Sequence, residues 1–386
     1  MDHRITRPAL AALAALLTLT GCAASASPAA ARGRITPYLP APTGGRPVGA
    51  TSLYLDDTSR ADPWVPEIKD RRLMVTVWYP AAAAEGRPFP YMTAAESKLL
   101  LASGDVKTVP GDVLSRTRTG AVEGPPPAGR RHGLPLVVLS PGFSKPRATL
   151  SGLAADLASH GYVAAVVDHT YENTGETFPD GEVTTCVACE LPGHDQAFWE
   201  KVSRVRSADV SFVLDRLTGD RPAWRGGGLI DPSRIAMAGH SAGGGAATTA
   251  MVSDRRIRAG IDIDGTTNLP LPESGLNRPF LFFGRSAAYR PGSGPAAATW
   301  ERDWKRLTGW RRWILVNGAV HESFTDIGPL TGQLGLKLGA RMTGKRSMYI
   351  TRTYVRAFLD HHLGGTREPL LDHPSRGFPE VTRVRP

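Results

Sequence analysis

Cysteine is scarce in this chain, which holds three cysteines among 386 residues. A metal site around Cys186 and Cys189 would need two more ligands nearby, and His194 is the one obvious candidate, so we expect no bound metal. A redox-active C-x-x-C pair usually opens a helix after a strand, whereas this pair lies in a loop rich in Gly, Thr and Pro. The remaining interpretation is a local structural disulfide between Cys186 and Cys189.

The chain also lacks a compact block of Lys and Arg interleaved with aromatic residues, although its formal net charge is +10. Its arginines are spread along the whole sequence, which is typical of a solvated basic surface rather than of a groove that binds nucleic acid. Internal repeats are absent as well. The sequence thus predicts a globular protein that does not bind nucleic acid, and it leaves the oligomeric state open.

Long apolar runs are lacking too. The run at residues 9–19 is too short to cross a bilayer as a helix, and the basic residues before it are those of a signal peptide. It ends in Leu19-Thr20-Gly21-Cys22, which resembles a bacterial lipobox. This resemblance implies that residues 1–21 are a signal peptide and that Cys22 is lipidated.

Two forms of the exported protein remain open. Ala24-Ser25-Ala26 fits the cleavage site of a freely secreted protein, whereas a cysteine directly after the apolar run favours a lipid anchor. Residues 22–48, rich in Ala, Pro and Gly, are then a flexible tether. We therefore expect a secreted protein or a cell-membrane lipoprotein, in an oxidising compartment where a disulfide is stable.

Strand-like and helix-like segments alternate along the rest of the chain, which predicts one α/β domain, at residues 49–386, with a mostly parallel sheet flanked by helices. Predicted strands cover residues 73–78, 134–139, 162–167, 234–238, 257–263, 280–283 and 313–316, and predicted helices cover 148–160, 198–217, 246–251, 296–307 and 348–363. Residues 94–132 show no clear period and are interpreted as a flap. The tail from residue 364 is expected to lie over the surface.

The most informative motif is Gly239-His240-Ser241-Ala242-Gly243. It lies between a predicted strand and a predicted helix of small residues, as a nucleophile elbow does. So tight a turn needs neighbours almost without side chains, and it lifts the Ser241 hydroxyl above the edge of the sheet. The motif predicts a nucleophilic serine.

A nucleophilic serine needs a histidine base oriented by a carboxylate. Asp264 ends a predicted strand and leads into a glycine, where a loop begins. Asp262 lies one alternation back, on the same face but deeper in the sheet. Strand geometry favours Asp264 as the acid and leaves Asp262 as the alternative or as a buried carboxylate bonded to backbone N–H groups.

His321 is the predicted base. It follows the last predicted core strand, on a loop that can reach back over the sheet edge. The other histidines after Ser241 lie on the closing helix or in the tail. The chain order of serine, acid and histidine is that of α/β-hydrolases.

An oxyanion hole needs backbone N–H groups directed at the developing negative oxygen. One donor is expected from Ala242, directly after the nucleophile. The second is expected from Phe143, in the loop Ser140-Pro141-Gly142-Phe143-Ser144 that follows an earlier strand. An ordinary Pro-Gly turn is the alternative interpretation of this loop.

These motifs together resemble the α/β-hydrolase family of plasma-type platelet-activating-factor acetylhydrolases and their bacterial lipase and polyester-hydrolase relatives. The matching segments, in the family order over about residues 50–362, are 77–80, 140–143, 164–169, 239–244, 260–264 and 318–324. The resemblance implies a Ser241, Asp264 and His321 triad with Phe143 and Ala242 as oxyanion donors, and it supports Asp264 over Asp262. It also implies calcium-independent hydrolysis, without a cofactor, of esters with short or oxidised acyl chains.

The flap and the loop of Cys186 and Cys189 depart from the family pattern, so the substrate stays open. The segment 231–234 is shared with the polyester-hydrolase branch, which keeps polymer and cutin-like esters as an alternative. Acyl transfer with the same triad is a second alternative, and a non-catalytic surface module is a third. The favoured function is a serine ester hydrolase acting on a small lipid or ester.

Overall fold

The computed structural model describes residues 35–385. The signal peptide, Cys22 and the first part of the tether lie outside this range and remain predictions. Among the helices of the described range, none is both long enough and apolar enough to span a bilayer.

Within the described range, the helices and strands are bounded as follows. The strands are β1 (Val48–Asp57), β2 (Arg71–Pro80), β3 (Pro88–Pro90), β4 (Arg118–Glu123), β5 (Leu134–Ser140), β6 (Val163–Val167), β7 (Glu176–Thr177), β8 (Val183–Thr184), β9 (Ile230–His240), β10 (Ile257–Ile263), β11 (Phe280–Arg285), β12 (Arg311–Val316) and β13 (Val381–Val384). The helices are α1 (Ala94–Ser103), α2 (Ser151–Ser159), α3 (Val187–Glu190), α4 (Gln196–Thr218), α5 (Ala242–Ser253), α6 (Ser286–Tyr289), α7 (Pro295–Trp304), α8 (Ile327–Gln333) and α9 (Gly344–His362).

Eleven of these strands form one sheet in the order β13-β12-β11-β10-β9-β5-β6-β2-β1-β4-β3. The six strands from β12 to β6 run parallel, while β2 and β13 are antiparallel to their neighbours. The prediction of a mostly parallel sheet flanked by helices is therefore confirmed.

Apolar side chains cover both faces of the sheet because successive residues of a strand point to opposite sides. On one face, Val137 and Leu139 of β5 belong to the core that α2 and α9 cover. On the other face, Leu136 and Val138 of the same strand belong to the core that α4, α5 and α7 cover. Burial on both faces explains why the parallel strands are continuous apolar runs in the sequence.

The register of the parallel strands places their carboxyl ends side by side. Ser140 of β5 pairs with Gly239 of β9, and Ile263 of β10 pairs with His240 of β9. Residues that follow these strand ends consequently meet above one edge of the sheet, where open α/β sheets bind ligands.

Two predictions for the ends of the domain are corrected. Residues 36–47 already pack on the domain, since Leu39 is buried and Thr43 donates hydrogen bonds from its backbone and hydroxyl to Asp156 of α2. The packed domain thus begins near residue 36 rather than 49. The tail also does more than lie over the surface, because β13 pairs with β12 and extends the sheet.

The segment predicted as a flap is largely regular. It forms α1, a short 3-10 turn and β4, which pairs with β1 and β3. A capping box begins α1: Thr93 Oγ1 accepts from the Glu96 N–H at 3.1 Å, and a Glu96 carboxylate oxygen accepts from the Thr93 N–H at 2.8 Å. The T-x-x-E pattern of this box is a sequence signal for the start of a helix, and the sequence analysis missed it.

Candidate active site

Ser241 lies between the end of β9 and the start of α5, with φ of 57° and ψ of −123°. A residue other than glycine rarely adopts this backbone conformation, and here the surrounding turn imposes it. A Cβ on Gly239 would lie 2.2 Å from the carbonyl carbon of Gly243, and one on Gly243 would lie 2.1 Å from the Ser140 carbonyl oxygen. Both positions therefore exclude any larger residue, and the turn has the form of a nucleophile elbow.

His321 begins a 3-10 turn after β12 and reaches back over the sheet edge. Its Nε2 lies 2.9 Å from Ser241 Oγ. The ring packs on the His240 ring at 4.5 Å, and the His321 carbonyl accepts a hydrogen bond from His240 Nε2 at 2.9 Å. Burial, followed by the proximity of His321, lowers the pKa of His240 well below its usual value, so the His240 ring is neutral near pH 7.

Asp264 follows β10 and completes a line of hydrogen bonds. Its Oδ2 lies 2.5 Å from His321 Nδ1, and its Oδ1 accepts from the Arg285 backbone N–H at 2.7 Å. The side chain of Asp264 is fully buried. Oδ2 of Asp264, Nδ1 and Nε2 of His321 and Oγ of Ser241 thus form a continuous path for orienting the imidazole and moving a proton.

Asp262, the alternative acid, contacts other groups. It accepts hydrogen bonds from the Gly265 N–H at 2.8 Å and from Trp300 Nε1 at 3.1 Å. Burial raises its pKa well above the usual value for aspartate. Asp262 therefore supports the loop that carries Asp264, as the reading of a buried carboxylate bonded to backbone N–H groups anticipated.

Arg285 was missed by the sequence analysis. Its guanidinium donates to Asp264 Oδ2, and the same nitrogen lies 2.7 Å from His321 Nδ1. Arg285 ends β11, the strand that pairs in parallel with β10, so its side chain emerges beside the loop of Asp264. The available signal was a charged residue at the end of an otherwise apolar strand.

The loop of the second expected oxyanion donor is held by the protein interior. Ser144 has φ of 60°, and its N–H donates to the Glu172 carbonyl at 2.8 Å. Arg206, buried in α4, donates to the Pro141 carbonyl and, at 2.7 Å, to the Glu172 carboxylate. Arg206 thereby fixes the loop from both sides, and it too was missed by the sequence analysis.

The two expected donors, the N–H groups of Phe143 and Ala242, form no hydrogen bond with other parts of residues 35–385. Their side chains pack with an aromatic cluster. The Phe143 ring stands edge-on to Phe198 at 5.6 Å and to Trp199 at 5.2 Å. Both N–H groups are consequently available to a ligand, next to an aromatic wall.

Cys186 and Cys189 are joined by a disulfide that closes the single turn of α3. The turn is attached to the domain by a hydrogen bond from the Ala188 N–H to the Tyr171 carbonyl at 3.0 Å. The Ala188 carbonyl lies 3.2 Å from His194 Nε2, so His194 contacts the backbone of this turn. The disulfide thus fixes the loop that borders the aromatic wall.

Within the described residues, the grouping of side chains close enough to share a metal is His240, Asp264 and His321, whose ligand atoms lie within 4.8 Å of one another. Both ring nitrogens of His321 already have hydrogen-bond partners, namely Asp264 and Ser241. A metal ion would have to replace that path, so this donor set fits proton transfer better than metal binding.

Comparison with known proteins gives a consistent result. Residues 38–190 and 226–369 match the family described as platelet-activating factor acetylhydrolase, isoform II. A probable 1-alkyl-2-acetylglycerophosphocholine esterase of Arthroderma benhamiae is 29% identical over 388 residues, covering 89% of this chain and 92% of that protein. The platelet-activating factor acetylhydrolase of Cavia porcellus is 27% identical over 266 residues, covering 60% of this chain and 58% of that enzyme.

A solved structure is also similar. The ferulic acid esterase of Streptomyces cinnamoneus superposes with a TM-score of 0.80 at 40% sequence identity, covering 91% of this chain and 100% of that one. The predicted α/β-hydrolase fold is thereby confirmed. The residues matched by the family include Phe143, Ser241, Asp264 and His321, but they leave out the whole of α4.

Proposed function

Because the chain belongs to the family of platelet-activating factor acetylhydrolases, isoform II, and is a carboxylic ester hydrolase, we propose that it acts through Ser241, His321 and Asp264. Ser241 is the nucleophile, His321 is the general base, and Asp264 orients the imidazole of His321. The observation that carries this proposal is the path of hydrogen bonds from Ser241 Oγ through both His321 nitrogens to Asp264 Oδ2.

The reaction proceeds in two halves. Ser241 Oγ attacks the ester carbonyl carbon while His321 Nε2 takes the hydroxyl proton, and the N–H groups of Phe143 and Ala242 stabilise the tetrahedral oxyanion. Collapse of this intermediate expels the alkoxide, which receives the proton from Nε2 and leaves an acyl group on Ser241. Water, deprotonated by His321, then attacks the acyl-enzyme, and the bond between the acyl carbon and Ser241 Oγ breaks as His321 returns the proton to Ser241 Oγ and the acid is released.

A fluorophosphonate probe tests this assignment directly, since it phosphonylates activated serine hydroxyls. We expect the adduct on the peptide that contains Ser241, because His321 lies 2.9 Å from its hydroxyl. Saturating p-nitrophenyl acetate, present while the probe reacts, should slow labelling. Failure of the folded protein to label, or labelling at another serine, would refute the assignment.

A further inference from the structure

A polar cavity of about 640 Å³ lies at the end of the sheet opposite the active site. Its lining residues come from two segments: residues 252–258, from the end of α5 to the start of β10, and residues 272–279, which precede β11. The seven residues of β10 span about 20 Å before the chain reaches Asp264. A small ligand in this cavity therefore takes no part in the chemistry at Ser241.

The cavity is positively charged. Three arginines line it, namely Arg255, Arg258 and Arg278. None of the three forms an ion pair with another part of residues 35–385, and the neighbouring Asp254 carboxylate is paired with Arg256 at 2.6 Å. Glu273 lies in the second segment but is not among the lining residues. Within the described range, the three guanidinium charges consequently have no counter-ion.

Arg278 is held in place by neutral groups. Its guanidinium donates hydrogen bonds to three carbonyls, those of Ile257 at 2.6 Å, Asp254 at 3.1 Å and Met251. These carbonyls lie at or just after the end of α5, so closing that helix explains the position of Arg278. Its charge stays uncompensated, and its Nε donates no hydrogen bond to the rest of residues 35–385.

The like charges around the cavity oppose one another. Burial, followed by the charges of Arg258 and Arg255, lowers the pKa of Arg278. An anion placed between the guanidinium groups would offset this repulsion. Guanidinium groups match the oxygens of a phosphate in geometry as well as in charge. The hydroxyl of Ser274 and the amide of Asn277 line the same cavity and add neutral donors.

We propose that this cavity binds a phosphate group, either free or esterified to a small polar alcohol. Arg278, fixed by its three carbonyls, contacts the phosphate from the half-buried side, and the exposed Arg255 and Arg258 contact it from the side of the solvent. The polar lining leaves room for a small polar group beside the phosphate. The proposal is independent of the proposed function, because the cavity and Ser241 lie at opposite ends of the sheet.

Isothermal titration calorimetry with inorganic phosphate and with glycerol 3-phosphate, at constant ionic strength set with sodium chloride, tests this site. A double variant, Arg255→Gln with Arg258→Gln, should bind at least about tenfold more weakly than wild type, since it loses two charged donors. Arg278 is left intact because it also closes α5. Tighter binding of inorganic phosphate would identify a free anion as the ligand, and tighter binding of glycerol 3-phosphate an esterified phosphate such as that of a lipid headgroup.

The matched control is Arg367→Gln with Arg376→Gln, which removes two exposed arginines outside the cavity. It should bind as tightly as wild type. Thermal unfolding in the absence of phosphate should be the same for wild type and both double variants, which shows that each is folded. Equal binding by wild type and the Arg255→Gln, Arg258→Gln variant, an equal loss in the control, or binding of neither compound by wild type would each overturn the proposal.

Discussion

Replacing Ser241 by alanine should lower kcat/KM for p-nitrophenyl acetate by at least about 10⁴-fold. The substitution removes the hydroxyl oxygen that His321 Nε2 approaches at 2.9 Å. Without this oxygen, no acyl-enzyme can form. What activity remains should come from the N–H groups of Phe143 and Ala242, which do not depend on the serine hydroxyl. Initial rates of the wild-type enzyme on p-nitrophenyl esters from acetate to palmitate would also give its acyl-chain preference.

The matched control is Ser253→Ala at the exposed carboxyl end of the same helix, α5. It should keep wild-type rates. Thermal unfolding of Ser241→Ala should match wild type, because alanine keeps the backbone conformation and loses no buried apolar contact. Turnover within about tenfold of wild type in Ser241→Ala would refute the nucleophile assignment.

The second large effect is on stability. Asp209→Asn should lower the free energy of unfolding by about 3–5 kcal/mol. Asp209 is fully buried in α4 and accepts hydrogen bonds from Arg71 at 2.8 Å, from Arg60 at 2.6 Å and from His169 at 2.8 Å. Removing its charge leaves the fully buried Arg71 with an uncompensated part of its positive charge, although Asp62 still binds it.

The pH dependence of this loss follows from the pKa of Asp209. Burial by itself would raise that pKa, but the Arg71 guanidinium and the hydrogen bond from His169 hold it well below the usual value. The carboxylate therefore contributes its full stability above about pH 4, the pKa in the unfolded chain, and loses that contribution as pH falls toward the folded-state pKa. The deficit of Asp209→Asn should be full at pH 7 and shrink in acid.

Urea unfolding at several pH values measures this deficit. Asp215→Asn is the control, since Asp215 lies on the same helix with a side chain that is 62% exposed and paired with Arg256. It should change stability by less than about 1 kcal/mol. If the urea concentration at the unfolding midpoint were the same for Asp209→Asn and Asp215→Asn, the buried hydrogen bonds of Asp209 would add no stability.

Most of the parallel sheet was predictable because its strands are buried on both faces and read as continuous apolar runs. The prediction at residues 257–263 coincides with β10, and that at 134–139 falls one residue short of β5. The strands that were missed, among them β1, β4 and β13, lie toward the edges of the sheet. Their side chains alternate between buried and exposed or are half-exposed, so short apolar runs do not mark them.

The same division holds at the active site. Ser241, Asp264, His321, Phe143 and Ala242 could be proposed from the sequence because each lies in a turn or loop that follows a strand, and local pattern specifies both strands and turns. The sequence could also order them, since parallel strands bring their carboxyl ends to one edge.

Only the tertiary structure decided which charged side chains surround the hydrogen bonds that join Ser241, His321 and Asp264. Arg285 approaches Asp264 and His321 from a neighbouring strand, and Arg206 holds the Phe143 loop from a helix more than sixty residues along the chain. An apolar groove between α1 and α8 likewise joins residues near 100 to residues near 330. Local sequence determines turns, strands and the residues at their ends, because their causes lie within a few residues. Contacts across the fold depend on strand register and helix packing, which no short segment specifies.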